Sequence, residues 1–72
     1  MTNRILGIVY HKGVWVLREA LGVFELINVN IEDVVCGDKG YRLKDNYRYT
    51  SLGFYNSEAD GMADFNKRCY GR

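Results

Sequence analysis

Three side chains have the chemistry to act as ligands or nucleophiles: His11, the single histidine, and Cys36 and Cys69, the two cysteines. A general base needs an orienting partner and a sheltered cleft. His11 falls in His11-Lys12-Gly13, which reads as an exposed three-residue turn, and nothing near it signals either requirement. The three residues would suffice in number for zinc, but no Cys-x-x-Cys or His-x-x-x-His spacing is present to close a chelate locally. Gly37-Asp38-Lys39-Gly40 lacks both the length and the following Ser or Thr of a phosphate-binding loop. Glu32 and Asp33 are adjacent, and neighbouring side chains on a strand point to opposite faces. These patterns predict no enzyme, no bound metal and no cofactor. Two cysteines are too few for a disulfide scaffold. Two partly buried free thiols are expected, with a single bridge from the middle of the chain to its last helix as the alternative.

What remains is surface chemistry. The stretch from Tyr41 to Tyr49 holds three tyrosines, two arginines and a lysine. Arginine offers carboxylate or phosphate a planar fork, and tyrosine supplies contact area at low entropic cost. Tyr41, Arg42, Lys44, Tyr47, Arg48 and Tyr49 are therefore the candidate partner-binding residues. They could stack bases and hold phosphates, or grip an acidic protein segment. In the third reading the tyrosines pack on the core and the charges only solvate a strand. Ten basic and nine acidic residues nearly cancel, which does not favour a generic polyanion binder. The glycine-flanked aromatic motif of an RNA-recognition domain is absent. Glu19, Glu25, Glu32 and Asp33 precede the basic cluster, predicting a bipolar surface suited to specific protein docking. Open strand edges offer a partner a second route, by strand addition.

The elements that must position this cluster read as α+β. Arg4–Tyr10 and Val14–Glu19, rich in β-branched and aromatic residues, are predicted strands. Trp15 is expected as a core anchor, with a surface anchor as the alternative. Val23–Val29 alternates with apolar residues on both faces, which predicts a central strand. Asn30–Asp33 has no clear pattern. Val34–Cys36 and Tyr41–Leu43 flank a Gly37–Gly40 turn, and Lys44-Asp45-Asn46 is a further turn. Tyr47–Tyr55 reads as the last strand, with Leu52 and Phe54 inward. Ser57 is a good N-cap for a final helix, and Asp60 a weaker form of the capping-box acid. Ala59, Met62, Ala63, Phe65 and Cys69 share a stripe. Acids come early in this helix and Lys67, Arg68 and Arg72 late, as the helix dipole favours, and Gly71 suits its end. Gly61 costs about 1 kcal/mol relative to alanine, so the helix must rely on packing. The expectation is a small antiparallel sheet of four to six short strands with one C-terminal helix packed on it.

Seventy-two residues predict a single domain over 1–72, burying roughly 60% of its unfolded surface. No apolar run approaches the roughly 18 residues of a membrane span, and Ile5–Tyr10 is too short for a secretory signal core. No membrane partner and a cytoplasmic location are expected.

The tail Ser57-Glu58-Ala59-Asp60-Gly61-Met62-Ala63-Asp64-Phe65-Asn66-Lys67-Arg68 resembles the closing helix of phage restriction-alleviation proteins. Those have a Ser/Thr-x-x-Glu-Ala run followed by an aromatic-Asn-Arg-Arg pattern. That family pairs cysteines for zinc; here Cys36 stands alone in the comparable region, so no zinc role carries over. In size, near-neutral charge and lack of catalytic motifs, the whole chain is similar to small phage proteins that take over host machinery. Among these are the Xanthomonas phage transcription regulators that bind bacterial RNA polymerase and displace the sigma factor. The likeness implies a non-enzymatic regulator that binds a host protein complex, RNA polymerase first, in the bacterial host cytoplasm. The alternative is a small RNA- or DNA-binding module using the same cluster.

Overall fold

Two tight turns build the sheet. Gly7–Lys12 (β1) and Trp15–Ala20 (β2) pair antiparallel, Lys12 opposite Trp15, across the two-residue loop Gly13-Val14. Gly13 has φ 59°, and positive φ at the first loop position alone is the pattern of a type II′ hairpin turn. His11 and Lys12, expected in the turn, are instead the last residues of β1, because this turn type needs only two residues. Val23–Val29 (β3) follows through Leu21 and Gly22, at φ 52° and 82°, the type I′ pattern. The computed structural model describes residues 7–38 and 40–71. Arg4–Leu6 of the expected first strand, Lys39 of the expected turn and Arg72 lie outside the described residues.

Beyond β3 the indeterminate stretch forms a single 3-10 turn, Ile31–Asp33. Val34–Gly37 (β4) and Gly40–Leu43 (β5) then pair only with each other. Tyr49–Tyr55 (β6) returns antiparallel beside β3, so the main sheet runs β1-β2-β3-β6. The last strand thus starts at Tyr49 rather than Tyr47, since Asn30 N–H bonds the Arg48 carbonyl just before it. β3 is central, as its two apolar faces predict, and the adjacent residues Leu26 and Ile27 are both fully buried on opposite faces.

Each sheet face has its own cover. On one, Leu17 and Leu26 meet Phe65 of the helix Glu58–Tyr70 (α1), flanked by Trp15, Phe24, Leu52, Tyr55, Met62 and Cys69. Trp15 is therefore a half-buried part of the core. On the other, Val16, Ile27 and Val29 are covered by Val14, Val34, Leu43 and Tyr47. The β4–β5 ribbon is thus a second layer across the sheet from the helix. The Ser57 hydroxyl accepts from the Asp60 N–H, as the cap signal predicts. Helical Gly61 is buried against Leu17, so the position that looked like a flaw is where helix and sheet come close. Ala59 and Ala63 of the expected stripe remain exposed. Cys36 on β4 and Cys69 on α1 are both free, on layers separated by the sheet, which rules out the bridge; Cys69 is half-buried as expected, whereas Cys36 is exposed because no described residue covers the outer side of the ribbon there.

β6 departs from simple alternation. Leu26 opposes Gly53 and Ile27 opposes Ser51, leaving Leu52 as a bulge. Leu52 still packs toward the helix, but past the bulge Phe54 falls on the ribbon face, opposite Glu25, and is 66% exposed. The expected inward Phe54 is therefore outward, because one extra residue inverts the strand's phase. No helix among the described residues is long and apolar enough to cross a membrane.

Candidate docking face

The ribbon covers only part of its sheet face. One cross-strand row on that face reads Ile8, Arg18, Glu25, Phe54. Its ends, Ile8 and Phe54, are exposed, as is Val23 two residues from Glu25. The middle of the row is a buried ion pair, Arg18 Nη2 to Glu25 Oε1 at 2.7 Å. Arg18 also donates through Nη1 to the Tyr47 hydroxyl at 2.7 Å, and the Tyr49 ring lies 4.2 Å from its guanidinium carbon. Burial alone would push the Arg18 guanidinium down. The Glu25 carboxylate, with Tyr49 and Tyr47, more than offsets this and holds it above its ordinary value. Arg18 therefore stays charged and fully engaged.

Beside this floor lies an open groove of about 870 Å³, walled by Ile8 of β1, Tyr41–Leu43 of β5 and the turn Lys44–Tyr47. Asn46 has φ 60° in that turn, a conformation asparagine tolerates. The Lys44 N–H bonds the Asp33 carbonyl at 2.9 Å, tying the turn to the 3-10 segment.

The six candidate residues divide. Tyr41, Arg42, Lys44 and Tyr47 line the groove. Among the described residues, Arg42 and Lys44 make no ion pair, whereas Arg18, Arg48 and Arg68 do. Arg48 is turned to the acids of the 3-10 turn. Its side chain reaches Glu32 at 3.2 Å and Asp33 at 3.8 Å, and its N–H donates to Asp33 at 2.9 Å. Tyr49 is committed to Arg18 and Tyr47, its ring 5.9 Å from that of Tyr47. The four acids expected to form an opposite pole are spent locally. Glu25 is on Arg18, Glu32 and Asp33 are on Arg48, and Glu19 accepts from the Gly22 N–H. Of the charged residues that line the groove, Arg42, Lys44 and Asp45 make no ion pair among the described residues, two cations to one carboxylate.

Sequence reasoning missed Ile8, Val23 and Phe54, whose exposure depends on strand order and on the bulge. Only Phe54 left a trace: a large apolar residue one position after Gly53, a residue type that in a strand often marks a bulge. Among the described residues no group of three or more His, Cys, Asp or Glu is placed to hold a metal ion. Comparison with protein families, characterised proteins and solved structures finds no match to this chain.

Proposed function

We propose that this chain is a non-enzymatic regulator that docks on a host protein complex through the half-covered sheet face. The observation that carries the reading is the juxtaposition on that face. Exposed Ile8 walls a groove whose cations, Arg42 and Lys44, make no ion pair among the described residues, and exposed Val23 and Phe54 lie farther across the same sheet face. The complementary partner presents an apolar side chain flanked by carboxylates. The apolar anchor supplies desolvated area, and the charges set orientation and encounter rate. Bacterial RNA polymerase is the partner to which the likeness to phage host-takeover proteins points, and occlusion of one of its binding sites is the mechanism. A polyanion-tracking role fits less well, because Arg48 is paired with Glu32 and Asp33, the Tyr47 ring packs on the sheet with its hydroxyl bonded to Arg18, and the Tyr49 ring faces Arg18.

The test is titration of purified bacterial RNA polymerase with the full chain, beside capture from nuclease-treated lysate. Binding is expected to resist nuclease. Joint reversal of Arg42→Glu and Lys44→Glu, or Phe54→Ser alone, should weaken it by about tenfold, roughly 1.4 kcal/mol, while Arg48→Glu changes it little. Absence of polymerase binding removes that partner. Association lost on nuclease treatment, with oligonucleotide affinity falling steeply with salt, replaces the reading with a nucleic-acid-binding module.

A further inference from the structure

His11 plays no part in the docking chemistry, yet it sits where the two layers meet. It is opposite Val16 on the ribbon face, and its ring packs on Tyr41 of β5, centroids 5.2 Å apart at 40°. Nε2 lies 2.8 Å from the Gly13 carbonyl. A carbonyl only accepts, so Nε2 carries the proton and the neutral ring has a bare Nδ1. Nδ1 is buried and meets no hydrogen-bond partner.

A second proton can go only to Nδ1. It would place an N–H with no acceptor at the buried edge of a half-buried ring, and the added charge is partly desolvated there; both are costly. The charged and titratable groups on the elements around the ring give no relief. Lys12 and Arg42 are cationic, Arg18 is held by Glu25, Glu19 is turned to the Gly22 N–H, and Cys36 and Asp38 of the ribbon make no hydrogen bond to Nδ1. Tyr41 offers its ring. The Tyr41 ring face attracts a cation but takes no hydrogen bond from Nδ1, so that N–H reaches an acceptor only by turning the ring out of its contact with Tyr41.

We propose that His11 is a proton-operated latch between sheet and ribbon: neutral, it holds β5 down as the wall of the groove, and protonated at Nδ1 it releases that wall. The consequence for binding rests on the docking reading above; the latch itself does not. Burial depresses the His11 pKa, against a smaller opposing pull from the Gly13 carbonyl, so release belongs below the ordinary 6.5 of a free imidazole.

The experiment is an NMR pH titration of the full chain, following the His11 ring, the Tyr41 ring, the Ile8 methyls and amide exchange. As His11 titrates below 6.5, the Tyr41 and Ile8 signals should move on the same curve. Exchange at β5 amides should rise at least tenfold while Leu26 and Ile27 stay protected. His11→Gln, which keeps a donor for the Gly13 carbonyl but cannot titrate, should abolish the linked changes. His11→Phe, which keeps the ring contact, is the second variant should glutamine loosen the fold. An ordinary His11 pKa, Tyr41 signals that ignore it, increased β5 protection, or global unfolding on the same curve would each overturn the latch. A second arm adds a peptide of alternating glutamate and leucine as an acidic, apolar probe. Binding lost on the His11 curve joins latch to groove, whereas no binding at any pH, with the NMR changes intact, sinks the docking reading alone.

Discussion

Gly61 marks the closest approach of α1 to the sheet. A Cβ there would stand 3.0 Å from Leu17 Cδ1 and 3.3 Å from Cδ2. Leu17 is fully buried and has no room to swing aside. Alanine would regain about 1 kcal/mol of helix propensity, but overpacking a well-filled site costs about 1–3 kcal/mol. Gly61→Ala should therefore destabilise by about 1 kcal/mol net, read as a lower urea midpoint at unchanged slope. A higher midpoint would mean that Leu17 relaxes and the glycine is not required. Leu21 is the opposite case. It is 78% exposed at φ 52°, a backbone state that costs most side chains about 1–2 kcal/mol and asparagine less. Leu21→Asn creates the favoured Asn-Gly turn and removes no packing. It should raise stability by about 0.5–1 kcal/mol, and a lower melting temperature would contradict that account.

At the scale of elements, the Tyr47 hydroxyl is one of the ties that hold the turn between β5 and β6, beside the bonds of Lys44 and Arg48 to Asp33. Tyr47→Phe keeps the ring against Val16, Ile27 and Val29 but takes away the acceptor for a buried Arg18 N–H. An orphaned buried donor costs about 1–3 kcal/mol, so the variant should lose stability in that range. The groove residues Arg42 and Lys44 should exchange faster, because the turn loses its tie to the sheet; unchanged urea midpoint and exchange would show the bond to be idle. The elements themselves were legible where one residue fixes local geometry. Ser57 starts α1, Gly13 and Gly22 make hairpins, and the two apolar faces of β3 make it central. Period-two alternation, however, cannot say whether two short strands extend a sheet or fold over it. Val34 and Leu43 pack on Val16 and Ile27 from above rather than beside them, and that is a tertiary choice. The same limit divided the candidate site. Composition located Tyr41, Arg42, Lys44 and Tyr47, whereas the burial of Glu25 with Arg18 and the outward Phe54 depend on cross-strand register and a bulge.

At the scale of the whole molecule, His11, Asp64 and Tyr55 are shifted groups among the described residues that make stability depend on pH. Unfolding free energy rises with pH wherever the unfolded chain binds more protons than the folded one. His11 has a folded pKa below its ordinary 6.5, so between the two values the unfolded chain holds the extra proton. Its contribution is full above 6.5 and is lost as pH falls toward the folded value. Asp64 accepts from the Tyr55 hydroxyl and from Arg68. The Tyr55 bond above all keeps its carboxyl below the ordinary 3.8, and that contribution is lost in a second acid step below 3.8. Tyr55 is shifted the other way, raised above 10.0 by burial and then by Asp64. The folded state there holds the extra proton, so stability declines as pH rises past 10.0. Urea midpoints across this range should show a plateau between 6.5 and 10.0, two descending steps on the acid side and one on the alkaline side. Tyr55→Phe should shrink the lower acid step and remove this group's part of the alkaline fall, leaving the step near 6.5 in place. His11→Gln should do the reverse. Because α1 carries Asp64 while the sheet and ribbon enclose His11, the two acid steps report different interfaces. Persistence of both steps in both variants would mean that acidification acts on the molecule's total charge and not on these contacts.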